Sequence, residues 1–334
     1  MVRRVVVTGL GVITPLGNSP EAFFLNLLSG KTGISIHPTQ HLPRAVGTAE
    51  FSPELHFNKM QLLGLDRVSQ FAVVAARQAV AQAGYDPDIV MGDEVGVFLG
   101  TGAGGVESTE HAYAKFFNAG GEKKKLLSIP AAMNHAPASQ VALMLGARAE
   151  CQTYSTACSS SSVAIGEAYR RIHDGYSNCA IAGGAECILM PGMLDSWMAM
   201  RVLCDDTDDA PGTGCRPFSS DRNGFAIGEG AAVLVLESLD AAQNRGANIL
   251  SEIVGYGVSN DATHITKPNV DGQALAMQRA LKEACIDPSQ ISYINAHGTA
   301  TIAGDRTETA SIKKCSGRML TKFLLAPQSR LMDT

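Results

Sequence analysis

Apolar and polar positions switch between two periods along this chain, and the switching predicts an α/β protein. Val5-Val6-Val7-Thr8-Gly9 is a continuous apolar run that reads as a buried first strand, ending in a turn at Gly9-Leu10-Gly11. Helical periodicity follows at residues 20–29 and 67–84, the second with Val68, Phe71, Ala72, Ala75, Ala79 and Val80 on one face. Residues 95–99 and 179–182 read as further core strands, and residues 231–236 are too apolar for an exposed edge. Strand and helix runs alternate in this way throughout, which implies sheets covered by helices.

A weak internal echo begins near residue 250. Residues 252–258 repeat the apolar run with Gly255-Tyr256-Gly257, a helix is expected at 272–284 and a strand at 291–296. Neither Gly-x-Gly is followed by the third glycine and the downstream acid of a dinucleotide site, so both are read as turns. A helix is expected over 305–314. Beyond it, residues 315–334 lose both periodicities and no further strand is expected.

With 334 residues, 45% apolar and 18% charged, the chain can bury a large core, and 34 glycines imply many tight turns. The net charge of −5 and the lack of a basic block interleaved with aromatics argue against a nucleic-acid partner. Lys123-Lys124-Lys125 reads as a solvated loop, and Pro211-Gly212-Thr213-Gly214-Cys215, after the acidic run 205–209, as a surface turn. The opening Met1-Val2-Arg3-Arg4-Val5-Val6-Val7 is too short for a signal-peptide core or a membrane span, so a cytoplasmic protein is expected. Cysteines at 151, 158, 179, 187, 204, 215, 285 and 315 form no C-x-x-C pair and have no histidines at zinc spacing. Reduced thiols and no structural metal are expected.

Cys158 stands apart from the other seven. A cysteine taken alone is more often a small buried hydrophobe than a nucleophile. This one lies in Ser155-Thr156-Ala157-Cys158-Ser159-Ser160-Ser161-Ser162, directly before the helical run 163–172. The partial positive charge of a helix amino end favours thiolate, and small neighbours admit a substrate. A thiolate nucleophile needs a histidine on a loop at the end of a rigid strand, and His297 fits, because it follows Tyr293-Ile294-Asn295. After it come Gly298, which permits close backbone approach, and two hydroxyls at period-two spacing, Thr299 and Thr301. His264 lies in a polar loop ending at Pro268, suited to lining a pocket. His37, His41, His56, His111, His135 and His173 have no such setting and read as structural.

Together these stretches resemble a known family. Thr156-Ala157-Cys158-Ser159-Ser160, His264-Ile265-Thr266-Lys267-Pro268 and Asn295-Ala296-His297-Gly298-Thr299-Ala300-Thr301 are similar to signatures of the β-ketoacyl-acyl-carrier-protein synthases, the elongating condensing enzymes of the thiolase superfamily. Val6-Val7-Thr8-Gly9-Leu10-Gly11-Val12-Ile13-Thr14-Pro15-Leu16-Gly17 resembles the family opening, and Arg216-Pro217-Phe218 through Ala231 its central block. The resemblance runs in order from Val2 to about Lys314. It implies the layered α-β-α-β-α thiolase arrangement, two related halves and a homodimer. The halves are expected at residues 1–250, with the nucleophile, and 251–314, the start of an incomplete second half.

The implied reaction is a decarboxylative Claisen condensation in fatty-acid or polyketide synthesis. An acyl group passes from carrier-protein phosphopantetheine to Cys158, malonyl-carrier protein loses carbon dioxide, and the enolate attacks the thioester. His297 would donate to the enolate oxygen, Thr299 and Thr301 would hold pantetheine amides, and the loop 261–268 with His264 and Thr266 would gate the pocket. No bound cofactor is implied, since substrates arrive on the acyl-carrier protein.

The resemblance also implies a Val-Ser-Ser-Thr-Lys-Ser…Gly-His segment carrying a lysine and a second histidine, then a Gly-Phe-Gly-Gly loop; residues 315–334 contain neither. Glu308 would form an ion pair with that lysine. Residues 315–334 can be encoded by bases that, with one base restored before them, read Val-Phe-Gly-Ala-Asp-Ala-Tyr-Lys-Ile-Ser-Val-Ser-Ser-Thr-Lys-Ser-Ala-Tyr-Gly-His. A frameshifted tail is therefore expected, with apolar sheet surface left uncovered near 250–334 and weak or absent activity. Two other readings compete. A non-catalytic partner subunit of a ketosynthase would usually have lost the nucleophile, and a Cys-His hydrolase oriented by Asn295 leaves Thr299 and Thr301 without a purpose.

Overall fold

The computed structural model describes residues 2–37, 44–88, 91–118, 126–205, 212–316 and 324–327. Lys123-Lys124-Lys125, His41 and most of the acidic run 205–209 lie outside the described residues. The strands are β1 Val5–Ile13, β2 Ile34–His37, β3 Arg44–Gly47, β4 Val95–Gly100, β5 Cys151–Tyr154, β6 Cys179–Glu186, β7 Ile227–Gly228, β8 Gly230–Ser238, β9 Ser251–Ile253, β10 Tyr293–Ala296 and β11 Leu324–Pro327. The helices are α1 Pro20–Leu28, α2 Lys59–Leu62, α3 Arg67–Gln82, α4 Val106–Asn118, α5 Ser128–Ala132, α6 Ala136–Leu145, α7 Ser160–His173, α8 Pro191–Ala199, α9 Leu239–Asn244, α10 Val270–Ala284 and α11 Ile302–Ser316. No described helix is long and apolar enough to cross a membrane.

The chain folds as two compact units, each made of separate stretches of sequence. The first comprises Met1–Phe24, Ala49–Leu194 and Gly228–Ile253; the second comprises Leu25–Thr48, Asp195–Ile227 and Val254–Thr334. Leu25–Thr48 and Asp195–Ile227, which lie within residues 1–250, belong to the second unit.

The first unit is built on one mixed sheet of order β5-β4-β6-β8-β1-β9. β4 is parallel to both β5 and β6, whereas β8 is antiparallel to β6 and to β1. Every residue of β4 is buried, as its unbroken apolar run requires. The predicted face of α3 is buried, and so are Val73, Val74 and Ala76 on its other sides, which makes α3 an internal helix rather than a surface one. Its start is fixed by Asp66, which accepts hydrogen bonds from Val68 N–H and Ser108 N–H.

The two Gly-x-Gly pairs are not the turns the sequence pattern implied. Gly9 and Gly11 lie inside β1, where a Cβ would stand 2.0 Å from the Ala79 carbonyl oxygen and 1.9 Å from that of Ala75. In the second unit a Cβ on Gly255 would stand 2.5 Å from the Ala280 oxygen, and one on Gly257 2.0 Å from that of Ala276. Each pair thus lays backbone directly against helix carbonyls four residues apart, on α3 in one unit and on α10 in the other. The internal echo is a repeated packing device. The strand expected at 252–258 shortens to β9, whose ladder with β1 ends where β1 shifts register between Val7 and Gly9.

The tail departs from expectation too. α11 runs two residues into it, and β11 pairs in parallel with β10, Tyr293 opposite Leu324 and Ala296 opposite Pro327. Leu324-Leu325-Ala326 supplies an extended apolar run, and the edge of β10 offers it backbone partners. Val254, Val258, Tyr293 and Ile302 remain exposed in this unit.

The close backbone approach gives a direct test. Gly11→Ala and Gly257→Ala should each destabilise the fold by about 1–3 kcal/mol, because the blocking atom is backbone and cannot rotate away. Urea unfolding midpoints check this, and the expected result is a lowered midpoint for both.

Candidate active site

Cys158 is exposed on the turn that joins β5 to α7. Ala157 has φ +53°, a left-handed conformation that costs an alanine about 1–2 kcal/mol. The serines around it brace the turn rather than merely leaving room. Ser160 is 3% exposed; its hydroxyl donates to the Ala157 carbonyl at 2.6 Å and accepts from Thr156 N–H at 2.8 Å. The Ser159 hydroxyl donates to the Thr156 carbonyl at 2.8 Å, so it places no side-chain cap on α7. The first turn of α7 has no acidic residue and its last turn holds Arg170, Arg171 and His173, so no acidic side chain of its own first turn offsets the partial positive charge at the amino end beside Cys158.

Two glycines let this helix end come so close to the sheet. A Cβ on Gly100, the last residue of β4, would lie 2.2 Å from the Ser160 carbonyl carbon. One on Gly184 of β6 would lie 2.6 Å from the Ser161 Cβ. Cys179, Cys187, Cys204 and Cys215 are buried, and burial pushes the Cys179 thiol up to about 12 and Cys187 well above its ordinary value. Such thiols stay protonated and unreactive.

The remaining expected site residues all lie in the second unit. His297 follows β10 directly and is exposed. Glu308 of α11 accepts from His297 N–H at 2.7 Å and from Gly298 N–H at 2.9 Å, so its carboxylate clasps the loop that carries the imidazole. Gly298 and Ala300 both take positive φ, +46° and +58°, and bend that loop back toward α11. Thr299 and Thr301 come together, their hydroxyl oxygens 3.0 Å apart. His264 and Thr266 also meet, with Thr266 N–H donating to Nδ1 of His264 at 3.1 Å. Their loop is held by Asp261, which accepts from Asn269 N–H at 2.7 Å, and Ile265 at its tip is 97% exposed.

Sequence reasoning missed the residues that brace these loops. Asp305, 1% exposed, accepts from Phe218 N–H at 2.6 Å and pairs with Arg222. Arg222 in turn donates to the carbonyls of Ile302 and Thr301. Burial pushes the Asp305 carboxyl above its ordinary value, against the pull of the Phe218 N–H and the Arg222 charge. The signal is an acid one turn before Glu308 in the helix expected over 305–314. A cavity of about 360 Å³ beside this brace is lined by Phe218, Arg222, Asp305, Arg306, Thr309, Ala310 and Lys313, none of them an expected site residue. Among the described residues no group of three or more His, Cys, Asp or Glu is placed to hold a metal ion.

Residues 2–242 match the model of the β-ketoacyl synthase N-terminal domain, and residues 250–326 match that of the C-terminal domain. The chain belongs to the β-ketoacyl synthase family. It is 39% identical over 322 residues to 3-oxoacyl-[acyl-carrier-protein] synthase 2 of Staphylococcus aureus (strain COL), covering 94% of this chain and 77% of the relative. It is 38% identical to nodulation protein E of Rhizobium sp. (strain N33), over 95% of this chain and 78% of that one. Among solved structures, the ishigamide ketosynthase/chain length factor superposes with a TM-score of 0.91 at 30% identity, over 99% of this chain and 82% of the other. A type II PKS ketosynthase in complex with its acyl-carrier protein gives 0.89 at 30% identity, over 99% and 82%. The fold is therefore thiolase-like, and the chain is a homologue of the condensing acyltransferases of fatty-acid and polyketide synthesis.

Proposed function

We propose that Cys158 is the acyl-accepting nucleophile of a decarboxylative condensation. The observation that carries this reading is an exposed thiol held by a left-handed turn at an uncapped helix end, in a chain whose relatives are 3-oxoacyl-carrier-protein synthases. The Cys158 thiolate attacks the thioester carbonyl of an acyl-carrier protein, and the pantetheine thiolate leaves. A malonyl thioester then loses carbon dioxide, and the electron pair of the broken bond becomes an enolate. The enolate carbon attacks the acyl carbonyl, the bond to the sulfur of Cys158 breaks, and the thiolate returns. Charge on the enolate oxygen exists only along this path, so a donor aimed there accelerates the step selectively.

His297 is that donor, and the backbone N–H of Cys158 supplies half of the oxyanion hole. Thr299 and Thr301 exchange their mutual hydrogen bond for the amides of pantetheine. His264 and Thr266 line the approach and gate it. Glu308 keeps its clasp on the loop carrying His297 while forming the family's ion pair wherever the lysine is present. The partners are acyl-carrier protein and a second copy of the chain, and the compartment is the cytoplasm.

We also propose that residues 1–250 and 251–314 are the two ketosynthase halves and that residues 315–334 are the product of a one-base shift of reading frame. The base arithmetic over all twenty residues of the tail supports this. The second histidine is lost with the frame, so acylation of Cys158 outlasts decarboxylation of the malonyl thioester.

Incubation with acyl-carrier protein loaded with a short acyl chain should give a thioester on Cys158, detected by peptide mass spectrometry and absent in Cys158→Ala. Release of free acid without an adduct would mean a hydrolase, and no reaction at all a non-catalytic partner subunit. Resequencing the coding DNA around Lys314 should reveal the missing base; an in-frame gene encoding the same tail would refute the shift.

A further inference from the structure

Glu186 ends β6 and takes no part in the chemistry above. Its carboxylate is gathered by the loop that follows β4: it accepts from Gly102 N–H at 2.5 Å, from Ala103 N–H at 3.3 Å and from the Thr101 hydroxyl at 3.2 Å. The Thr101 oxygen also accepts from Gly104 N–H at 3.1 Å, which closes the loop on itself. Glycine at position 102 leaves the carboxylate room to approach, since a Cβ there would lie 2.8 Å from the Glu186 Oε2. The Gly102 carbonyl, fixed in this way, accepts a hydrogen bond from the Ser155 hydroxyl at 3.2 Å, and Asn134 donates to the same hydroxyl at 3.4 Å. Ser155 opens the strained turn that presents Cys158.

We infer that Glu186 is a positioning residue for Cys158, acting through Gly102 and Ser155. The inference rests on the reading of Cys158 as the nucleophile. Without the carboxylate the loop 101–104 loses its shared acceptor, Gly102 drifts, and the latch on Ser155 opens. The left-handed turn at Ala157 then relaxes and carries the sulfur away from the amino end of α7.

The cysteines of the chain are the reporters. In the full chain, iodoacetamide labelling of each cysteine is followed by peptide mass spectrometry. Glu186→Ala should slow Cys158 by at least about threefold, and Glu186→Gln, which keeps one acceptor oxygen, should restore most of the rate. Exposed Cys285 should label as in the parent, and buried Cys179, Cys187, Cys204 and Cys215 should stay protected. Ser155→Ala should slow Cys158 to a similar degree, and the Glu186→Ala/Ser155→Ala double variant should be no slower than the slower single, because both cut one chain of hydrogen bonds. Unchanged Cys158 labelling with the buried thiols protected, or additive effects in the double variant, would overturn the inference. If Glu186→Ala exposes the buried thiols, Ser155→Ala decides alone: slowed labelling supports the latch and unchanged labelling refutes it. Acyl transfer is not read, so a chain that never acylates would defeat the proposed function while leaving this result intact.

Discussion

The amino end of α7 rests on the sheet at two positions that have no side chain, Gly100 on β4 and Gly184 on β6. Everything proposed for the first unit follows from that seat. A helix end that approaches so closely leaves little chain to connect it to β5, and the connection must fold back through a left-handed residue, Ala157. The next residue then stands exposed beside the amino end of α7, and that residue is Cys158. Strain of this kind persists only where the surroundings over-determine it. Here the Ser159 and Ser160 hydroxyls, Ser155 and the loop gathered by Glu186 do so.

The second unit uses the same economy of glycine against helix. Gly255 and Gly257 meet α10 as Gly9 and Gly11 meet α3, at alanine carbonyls one helical turn apart. Its histidine loop is held differently. There, two carboxylates from α11, Asp305 and Glu308, reach outward to bind backbone N–H groups of neighbouring loops. Both devices place Cys158 and His297 on irregular backbone while rigid elements supply the restraint.

Most of the architecture was legible because long apolar runs have only one good use. β4, β6 and β8 appear as unbroken runs, and α3 announces its buried face through 3.6-residue spacing. Cys158 and His297 stand out by their settings at the edges of such elements, and the family signatures strengthen both. The glycine pairs look like turns because sequence cannot tell a glycine that turns the chain from one that lets a helix approach. The parallel pairing of β11 escapes sequence reasoning because four residues are too few to show a period. Glu186 and Arg222 are hard to read for another reason: most of their hydrogen-bond partners are backbone groups from distant stretches, and backbone carries no sequence signature.

The seat of α7 is the claim on which the account turns, and Gly184→Ala tests it most directly. Acylation of Cys158 by a short acyl thioester should fall at least about tenfold in this variant, because the added methyl meets Ser161 in the first turn of α7 and moves the Cys158 sulfur. The buried thiols should stay protected in the same sample. Acylation at the parent's rate in a folded Gly184→Ala protein would contradict the account.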